Sequence, residues 1–196
     1  MSKQDLIIEA ATKVFLQEGF DGASMEEIAK SAGVAKQTLY GYFAGKDSLF
    51  LAIIERQREE VFGDLPEAKD GSKNIGEYLI CLGDRFSEML FDKDTLELYR
   101  LVVAETPRFP EIGKLYFEEG SRTGVERVAQ FLNRQGIKAS SAQIMSEQFF
   151  GMLVGYILTK ALLVKGFHPT IAERKRHVRQ VVNDFMTISQ FYSVEE

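Results

Sequence analysis

The chain has 196 residues, of which 45% are hydrophobic and 27% charged, and its formal net charge is −5 at pH 7. This composition is that of a globular protein and excludes a disordered chain or a fibre. The negative charge also disfavours indiscriminate binding to nucleic acid, because attraction to phosphate supplies most of that affinity. Any contact with DNA must therefore come from a local surface.

The N-terminus and the apolar runs indicate a cytoplasmic protein. The first residues lack the basic region, apolar run and cleavage site of a secretory signal. The longest apolar run, residues 149–164, is shorter than the roughly 20 residues that cross a bilayer, and it contains Lys160. We therefore expect a cytoplasmic location and no membrane partner.

The residues that usually carry catalysis or bind metal are few. Cys81 lies in the apolar stretch YLICL, where a buried structural thiol is expected. Cys81, His168 and His177 lie far apart without a recognisable motif, and no glycine-rich phosphate loop is present. We predict no catalytic residue, no metal, no cofactor and no enzyme activity.

The first third of the chain predicts four helices. Apolar residues at helical spacing predict a helix that stops at Gly19. A capping box of Ser24 and Glu27 predicts a second helix that ends at Gly33, and a short third helix follows three residues later. Residues 46–62 predict a fourth helix with one apolar side.

The rest of the chain also has helical periodicity. Residues 63–74 have the composition of a linker, and we place a soft boundary there. The helices predicted beyond it span residues 75–90, 93–105, 111–135, 141–165 and 170–191. Because no alternating strand pattern persists, the predicted fold is all-α.

The second and third predicted helices fit the helix-turn-helix layout. Gly33 permits the sharp turn between them, and in this layout the second helix enters the DNA major groove. Leu39 and Phe43 point into the core of the small domain that the first helices are predicted to form. The residues that point away from it are Lys36, Gln37, Tyr40 and Gly41.

This outward face has the chemistry of a DNA-reading surface. Lys36 can donate to guanine O6 and N7 or to phosphate, Gln37 can pair with an adenine edge or a phosphate, and Thr38 can serve either role. Lys46 adds its charge and the free amides of a helix N-terminus. The predicted DNA-binding residues are Ser24, Gly33, Val34, Ala35, Lys36, Gln37, Thr38, Tyr40, Gly41, Tyr42 and Lys46.

The charge of this region is nevertheless low. Residues 1–50 contain five lysines and seven acidic residues, a net charge of −2. Only Lys3 precedes the first helix, so little reach into the minor groove is expected. Because few cations are available to displace counterions, we predict weak non-specific DNA binding and a modest dependence of affinity on salt.

Residue types at fixed offsets through about the first 50 positions, notably LYGYF followed by GKDSL, resemble the N-terminal domain of the TetR family of transcriptional regulators. Residues 98–120, LYRLVVAETPRFPEIGKLYFEEG, resemble the ligand-sensing region of an AefR-like subgroup. Ala35 departs from the pattern, because many relatives have a serine or threonine cap there.

The resemblance implies two domains. The first, residues 1–46, is a three-helix helix-turn-helix domain that binds double-stranded DNA. The second, residues 47–196, is a larger helical domain for ligand sensing and dimerisation. The helix predicted over residues 46–62 connects them.

The resemblance further implies a cavity among the middle helices, where a small molecule shifts the DNA-reading domains. An apolar lining with a few polar groups is typical of such cavities, although most of these residues must also build the core. The candidate ligand-binding residues are Phe86, Met89, Leu90, Tyr99, Val102, Val103, Phe109, Tyr116, Phe117 and Phe150. They weakly favour a hydrophobic or aromatic effector, whose identity the sequence does not reveal.

A homodimer with a four-helix interface is also implied. One recognition helix reads only a few base pairs, so specificity normally comes from two copies on a palindromic site. The candidate interface residues are Gly151, Met152, Gly155, Tyr156, Thr159, Val181 and Phe185. The alternative is that they face the core of their own chain. The basic run over residues 174–179 is interpreted as a solvated helix face rather than a second nucleic-acid patch.

These features predict a ligand-responsive transcriptional regulator that binds a palindromic operator as a homodimer. We favour a repressor, because a compact dimer on a promoter blocks polymerase without any further contact. The alternative is a helical DNA-binding dimer that a protein partner controls without a small-molecule ligand. Ligand-dependent release of DNA separates the two.

Overall fold

The computed structural model describes residues 2–63, 65 and 75–192, and no strand occurs among them. The helices in chain order are α1 (Lys3–Gly22), α2 (Met25–Ala32), α3 (Lys36–Tyr42), α4 (Lys46–Phe62), α5 (Ile75–Leu90), α6 (Lys93–Glu105), α7 (Pro110–Tyr116), a π-helical segment (Phe117–Arg122), α8 (Thr123–Arg134), α9 (Ala139–Leu163) and α10 (Ile171–Tyr192). The all-α prediction is confirmed. Apart from Gly63 and Leu65, the predicted linker over residues 63–74 lies outside the described residues.

The regular part of the first helix breaks at Gly19, as the sequence predicted. Gly19 has φ 74° and ψ 170°, which kinks α1, and the helix then continues to Gly22. The amide of Ala23 donates to the Gly19 carbonyl over 3.2 Å and closes this last turn. The kink brings Phe20 into the core, where it is 7% exposed.

The helix predicted over residues 111–135 is present as one unbroken helical stretch from Pro110 to Arg134, and the prediction missed only the π-helical segment between α7 and α8. Arg58 Nη1 donates to the carbonyl of Glu119 over 3.2 Å, which gives this backbone oxygen a partner from α4. Gly120 also lies close to Ile54. A π-helical turn is wider than an α-helical one and changes the helical register.

Packing divides the chain into two compact units. The described residues of Met1–Arg58 and Asp92–Ser121 form the N-terminal unit, and those of Glu59–Phe91 and Arg122–Glu196 form the C-terminal unit. The N-terminal unit therefore contains α6 and α7 as well as the first three helices. The division predicted from the sequence separates residues 1–46, for DNA binding, from residues 47–196, for ligand sensing and dimerisation. It concerns function rather than packing, and it stays a prediction.

An aromatic cluster forms the core of the N-terminal unit. The ring centroids of Phe15, Phe20 and Phe50 lie 5.3 to 6.1 Å apart. Other buried residues of this core come from α6 and α7, including Val102 and Ile112. The first three helices thus share one core with α4 and with α6 and α7, which come from a later segment of the chain.

The core of the C-terminal unit joins α5, α8, α9 and α10. Tyr78 stacks on Phe131 with ring centroids 3.7 Å apart. A Cβ atom on Gly83 would lie 2.7 Å from Val178 Cγ1, so this glycine allows α5 and α10 to pack closely. This contact holds α5 against α10, and α9 packs in the same core.

Two observations concern other classes of function. None of the helices in the described ranges is long and apolar enough to cross a membrane. Cys81 lies on α5 and is half-buried, which is more exposed than its apolar neighbours in sequence suggested.

Candidate functional site

Local hydrogen bonds fix the turn of the helix-turn-helix. Ser24 Oγ accepts from the amide of Glu27 over 3.2 Å, and Glu27 Oε2 accepts from the amide of Ser24 over 3.1 Å. The predicted capping box is therefore present. At the other end of α2, Gly33 has φ 66° and ψ 30°, a left-handed conformation that glycine adopts without strain. The amide of Val34 donates to the Ala29 carbonyl over 3.0 Å and directs the chain toward α3.

The inner face of α3 anchors the helix in the core. Leu39 is fully buried and Phe43, which follows the helix, is 5% exposed. Ala35 occupies the N-cap position of α3 and supplies no side-chain hydrogen bond, as its residue type requires. Packing rather than capping therefore holds this short helix in place.

The outer face of α3 carries the predicted polar residues. Tyr40 and Tyr42 are 48% and 49% exposed. The other exposed residues of α3 are Lys36, Gln37 and Gly41, and Thr38 is half-buried. Lysine, glutamine and tyrosine groups thus lie on one open surface that can donate to base edges and phosphates.

The remaining predicted DNA-binding residues lie around this face. Ala35 is exposed, as is Gly33 in the turn, whereas Ser24 and Val34 are half-buried. Lys46 has partners within the chain, because its Nζ donates to the carbonyls of Phe20 and Asp21 over 2.7 and 3.0 Å. The same ammonium lies 5.0 Å from the centroid of the Phe20 ring. Lys46 therefore connects the start of α4 to the end of α1.

Sequence reasoning missed an acidic neighbour of α3. Lys36 Nζ lies 3.3 Å from Glu26 Oε2, an ion pair that joins α3 to the first turn of α2. The two residues are ten positions apart, beyond the spacing at which residues of one helix meet. Only the turn geometry at Gly33 brings them together.

Two family models match this chain. Residues 7–53 match the model of the bacterial regulatory proteins of the tetR family. Residues 77–188 match the C-terminal domain of AefR-like transcriptional repressors, which is more than half of the chain. The chain belongs to the TetR family. The proteins that match it are transcriptional regulators of the helix-turn-helix type rather than enzymes.

Relatives of known sequence or structure agree with this assignment. The regulator UidR of Escherichia coli K12 is 37% identical over 124 residues, which are 63% of this chain and 61% of UidR. The chain spans 21% to 61% of the length of the curated relatives that it matches. A TetR-family regulator from Mesorhizobium loti has a TM-score of 0.75 and 29% identity, and the match covers 95% of this chain and 96% of that one. The flavonoid-responsive regulator FrrA has a TM-score of 0.70 and 28% identity, with coverage of 95% and 96%.

The ten candidate ligand-binding residues of this TetR-family protein fall into two groups. Those in the N-terminal unit are Tyr99, Val102, Val103, Phe109, Tyr116 and Phe117, and those in the C-terminal unit are Phe86, Met89, Leu90 and Phe150. Each group contains an aromatic pair: the ring centroids of Tyr99 and Tyr116 lie 5.8 Å apart, and those of Phe86 and Phe150 lie 5.2 Å apart. Burial raises the pKa of Tyr116, which keeps its hydroxyl neutral.

Individual burial separates these candidates further. Leu90 and Val102 are each 5% exposed and belong to the cores. Val103 and Phe117 are each 56% exposed and lie on the surface of the N-terminal unit. The remaining six residues are half-buried.

The candidate dimer residues also separate by burial. Gly151, Gly155, Tyr156 and Thr159 are exposed on α9 and Met152 is half-buried. Val181 and Phe185 are only 5% and 2% exposed, because they pack inside the core of the C-terminal unit. They face their own chain, so the prediction that they contact a second copy is not carried further.

Proposed function

We propose that this TetR-family protein is a repressor that binds a palindromic operator as a homodimer and releases it when a small hydrophobic or aromatic effector binds. The observation that supports DNA reading most directly is the outer face of α3. Its polar side chains are exposed, whereas Leu39 on the opposite face is fully buried. A helix anchored in this way presents its polar groups to the major groove with little loss of conformational entropy.

Each exposed group of α3 has a proposed part in the complex. Lys36 and Gln37 in the first turn read base edges, while the hydroxyls of Tyr40 and Tyr42 donate to phosphate oxygens. Gly41 leaves room for the sugar-phosphate backbone, since no atom of the chain lies within 4 Å of a Cβ placed there. Lys46 contributes indirectly, by keeping α4 and α1 together beneath this surface.

The proposed dimer forms through α9. Tyr156 is 83% exposed and Leu163 is 79% exposed, and both lie on the helix that carries the open positions Gly151 and Gly155. Large exposed apolar side chains on one helix are typical of an interaction surface. Two copies of α9 would bury these side chains symmetrically and place two recognition helices on the two halves of a palindrome.

The aromatic pairs support an aromatic effector. Rings at 65° and 66° to each other, as in the Tyr99–Tyr116 and Phe86–Phe150 pairs, can repack around an inserted planar molecule. The flavonoid-responsive regulator FrrA, which is 28% identical to this chain, is a relative with such a ligand. The effector must bind the DNA-incompetent arrangement more tightly, because otherwise it shifts no equilibrium.

The test begins with genomic DNA. Purified protein without added ligand selects short fragments from the source genome at moderate salt, and sequencing identifies the enriched ones. We expect one inverted repeat, and we expect Lys36→Met to abolish its enrichment while the protein stays folded by circular dichroism. Enrichment without sequence preference, or enrichment that survives Lys36→Met, contradicts the proposed reading surface.

The second stage tests the effector. A set of flavonoids and simple aromatic acids is added to the complex of protein and selected repeat, with saturated fatty acids of similar mass as the control. Release by an aromatic compound supports the proposal. Release by fatty acids alone contradicts an aromatic effector. So does release by a protein from a cell extract when none of the compounds releases the DNA.

A further inference from the structure

The first residue of α3 is held by a carboxylate of the preceding helix. Lys36 Nζ donates to Glu26 Oε2 over 3.3 Å. The side chains of Lys36 and Glu26 are 57% and 79% exposed, so the pair lies on the open surface and not in the core. Glu26 is thus part of the surface that faces DNA in the proposed complex, and it carries the charge that phosphate repels.

The pair neutralises the charge of the recognition helix. Lys36 is the one basic residue in the sequence KQTLYGY of α3. Its ammonium can donate to phosphate or to guanine O6 and N7, so a competitor for that ammonium affects both kinds of contact. The free protein therefore presents a neutral pair to DNA where the sequence alone suggested a cation.

We propose that Glu26 restrains DNA binding by competing with DNA for Lys36, a role that rests on the proposed function. On the operator, Lys36 gains guanine acceptors that outweigh the loss of the ion pair, so the operator complex bears the full cost of opening it. On DNA of arbitrary sequence, Lys36 either stays on Glu26 or leaves it for a phosphate contact alone, so the cost there is no larger. The carboxylate therefore lowers operator affinity at least as much as non-specific affinity.

The low charge of this region strengthens the argument. Residues 1–50 carry a net charge of −2, so each lysine that remains paired removes a large share of the attraction to phosphate. Non-specific affinity depends on that attraction, whereas operator affinity also depends on base contacts. Removing the carboxylate should therefore strengthen both kinds of binding, and operator binding at least as much as non-specific binding.

The test uses Glu26→Gln in the full chain, which keeps the size of the side chain and removes its charge. Fluorescence anisotropy measures the Kd for the selected repeat and for a scrambled duplex of the same composition at several salt concentrations. We expect the operator Kd to fall about two- to fivefold at low salt, the range of an exposed ion pair. We expect the Kd for the scrambled duplex to fall by the same factor or less, and the salt dependence of scrambled binding to increase by at most one counterion.

Glu9→Gln is the matched control. Glu9 forms an ion pair of the same kind with Lys13 over 2.8 Å, and both side chains are well exposed. The hydrogen bond to Lys13, and in addition the charge of Arg56, lowers the pKa of Glu9. Equal effects of Glu9→Gln and Glu26→Gln on the operator overturn the inference, because net charge then explains both.

A double-mutant cycle with Lys36→Met tests whether Glu26 acts through Lys36. We expect Glu26→Gln to lose most of its effect on DNA affinity once Lys36 is absent. The same effect in both backgrounds overturns the competition, since the carboxylate then repels phosphate on its own. If wild-type protein does not prefer the selected repeat to the scrambled duplex, the proposed function fails and the inference falls with it. An unchanged operator Kd in Glu26→Gln, or a larger effect on the scrambled duplex than on the operator, overturns the inference alone when the wild-type preference is intact.

Discussion

The recognition helix α3 and the long helix α9 each carry an exposed glycine, Gly41 and Gly155, at a position where glycine costs about 0.5–1 kcal/mol of helix stability. A Cβ atom on either would meet no atom of the chain within 4 Å. At Gly83 of α5, by contrast, a Cβ atom would lie 2.7 Å from Val178 Cγ1. Packing within the chain thus explains Gly83 but neither of the two exposed glycines.

The surroundings of the two exposed glycines differ in chemistry. Tyrosine hydroxyls, lysine and glutamine surround Gly41, whereas Tyr156 and Leu163 lie on the helix of Gly155. We interpret the first as space for a polar partner, the DNA backbone, and the second as space for an apolar partner, a second copy of α9. Four substitutions follow, beginning with the one that should have the largest effect. Gly155→Leu and Gly41→Leu test the difference between the two glycines, and the other two test how α3 is held.

Leu39→Ala should destabilise the N-terminal unit by about 2–5 kcal/mol, because it removes a fully buried leucine and leaves a cavity. Tyr40→Ala, at the next residue on the outer face, should stay within about 0.5 kcal/mol of wild type. Urea titrations followed by circular dichroism compare the two. Equal losses of stability would mean that α3 has no distinct inner and outer faces.

Gly155→Leu should weaken the dimer on the order of 100-fold, because two added side chains clash across a symmetric interface. Sedimentation equilibrium measures the dissociation constant. Gln130→Leu adds an apolar side chain of the same kind at an exposed position of α8 and should leave the dimer unchanged. If the Gly155→Leu protein dimerises as tightly as wild type, α9 does not form the dimer interface.

Gly41→Leu should weaken operator binding about tenfold through a clash with the DNA backbone, without changing the dimer. Leucine has a higher helix propensity than glycine, so the substitution should not weaken the fold itself. Anisotropy with the selected repeat gives the Kd. Operator binding equal to that of wild type would show that the open space at Gly41 has no role in DNA contact.

Ala35→Ser should have the smallest effect and should stabilise the protein by about 0.5–1 kcal/mol. Residue 35 has the extended conformation of an N-cap, with φ −66° and ψ 145°, and a serine hydroxyl there can accept an amide hydrogen bond that alanine cannot. Urea titration of Ala35→Ser and of Ala35→Val, which adds no acceptor, separates capping from side-chain size. No gain with serine would indicate that packing alone already fixes the start of α3.

The sequence predicted best where structure is local. The bounds of α2 follow from a capping box and from Gly33, whose signals lie within a few residues of their effects. Leu39 and the outer face of α3 follow from helical spacing alone. Local hydrogen bonds and periodicity therefore sufficed for the fold class and for the exposed polar face of α3.

Contacts between distant residues were not predictable in this way. The pairing of Lys36 with Glu26 and of Lys46 with the Phe20 carbonyl depends on how helices pack. The packing of Phe185 in the core of its own unit was not predictable either, because apolar spacing identifies a face but not what covers that face. The π-helical segment escaped notice because its residues fit an ordinary helical pattern.

The division of the chain bears on how this regulator could be recombined with others. Because α6 and α7 pack with the first helices, residues 1–62 alone lack Val102 and Ile112, which belong to the core around Phe15. A hybrid that takes only those residues would expose this core or would need a foreign α6 and α7 of matching shape. Grafting residues 92–121 together with residues 1–58 preserves the complete core, so the compact unit that carries α3 is discontinuous in sequence.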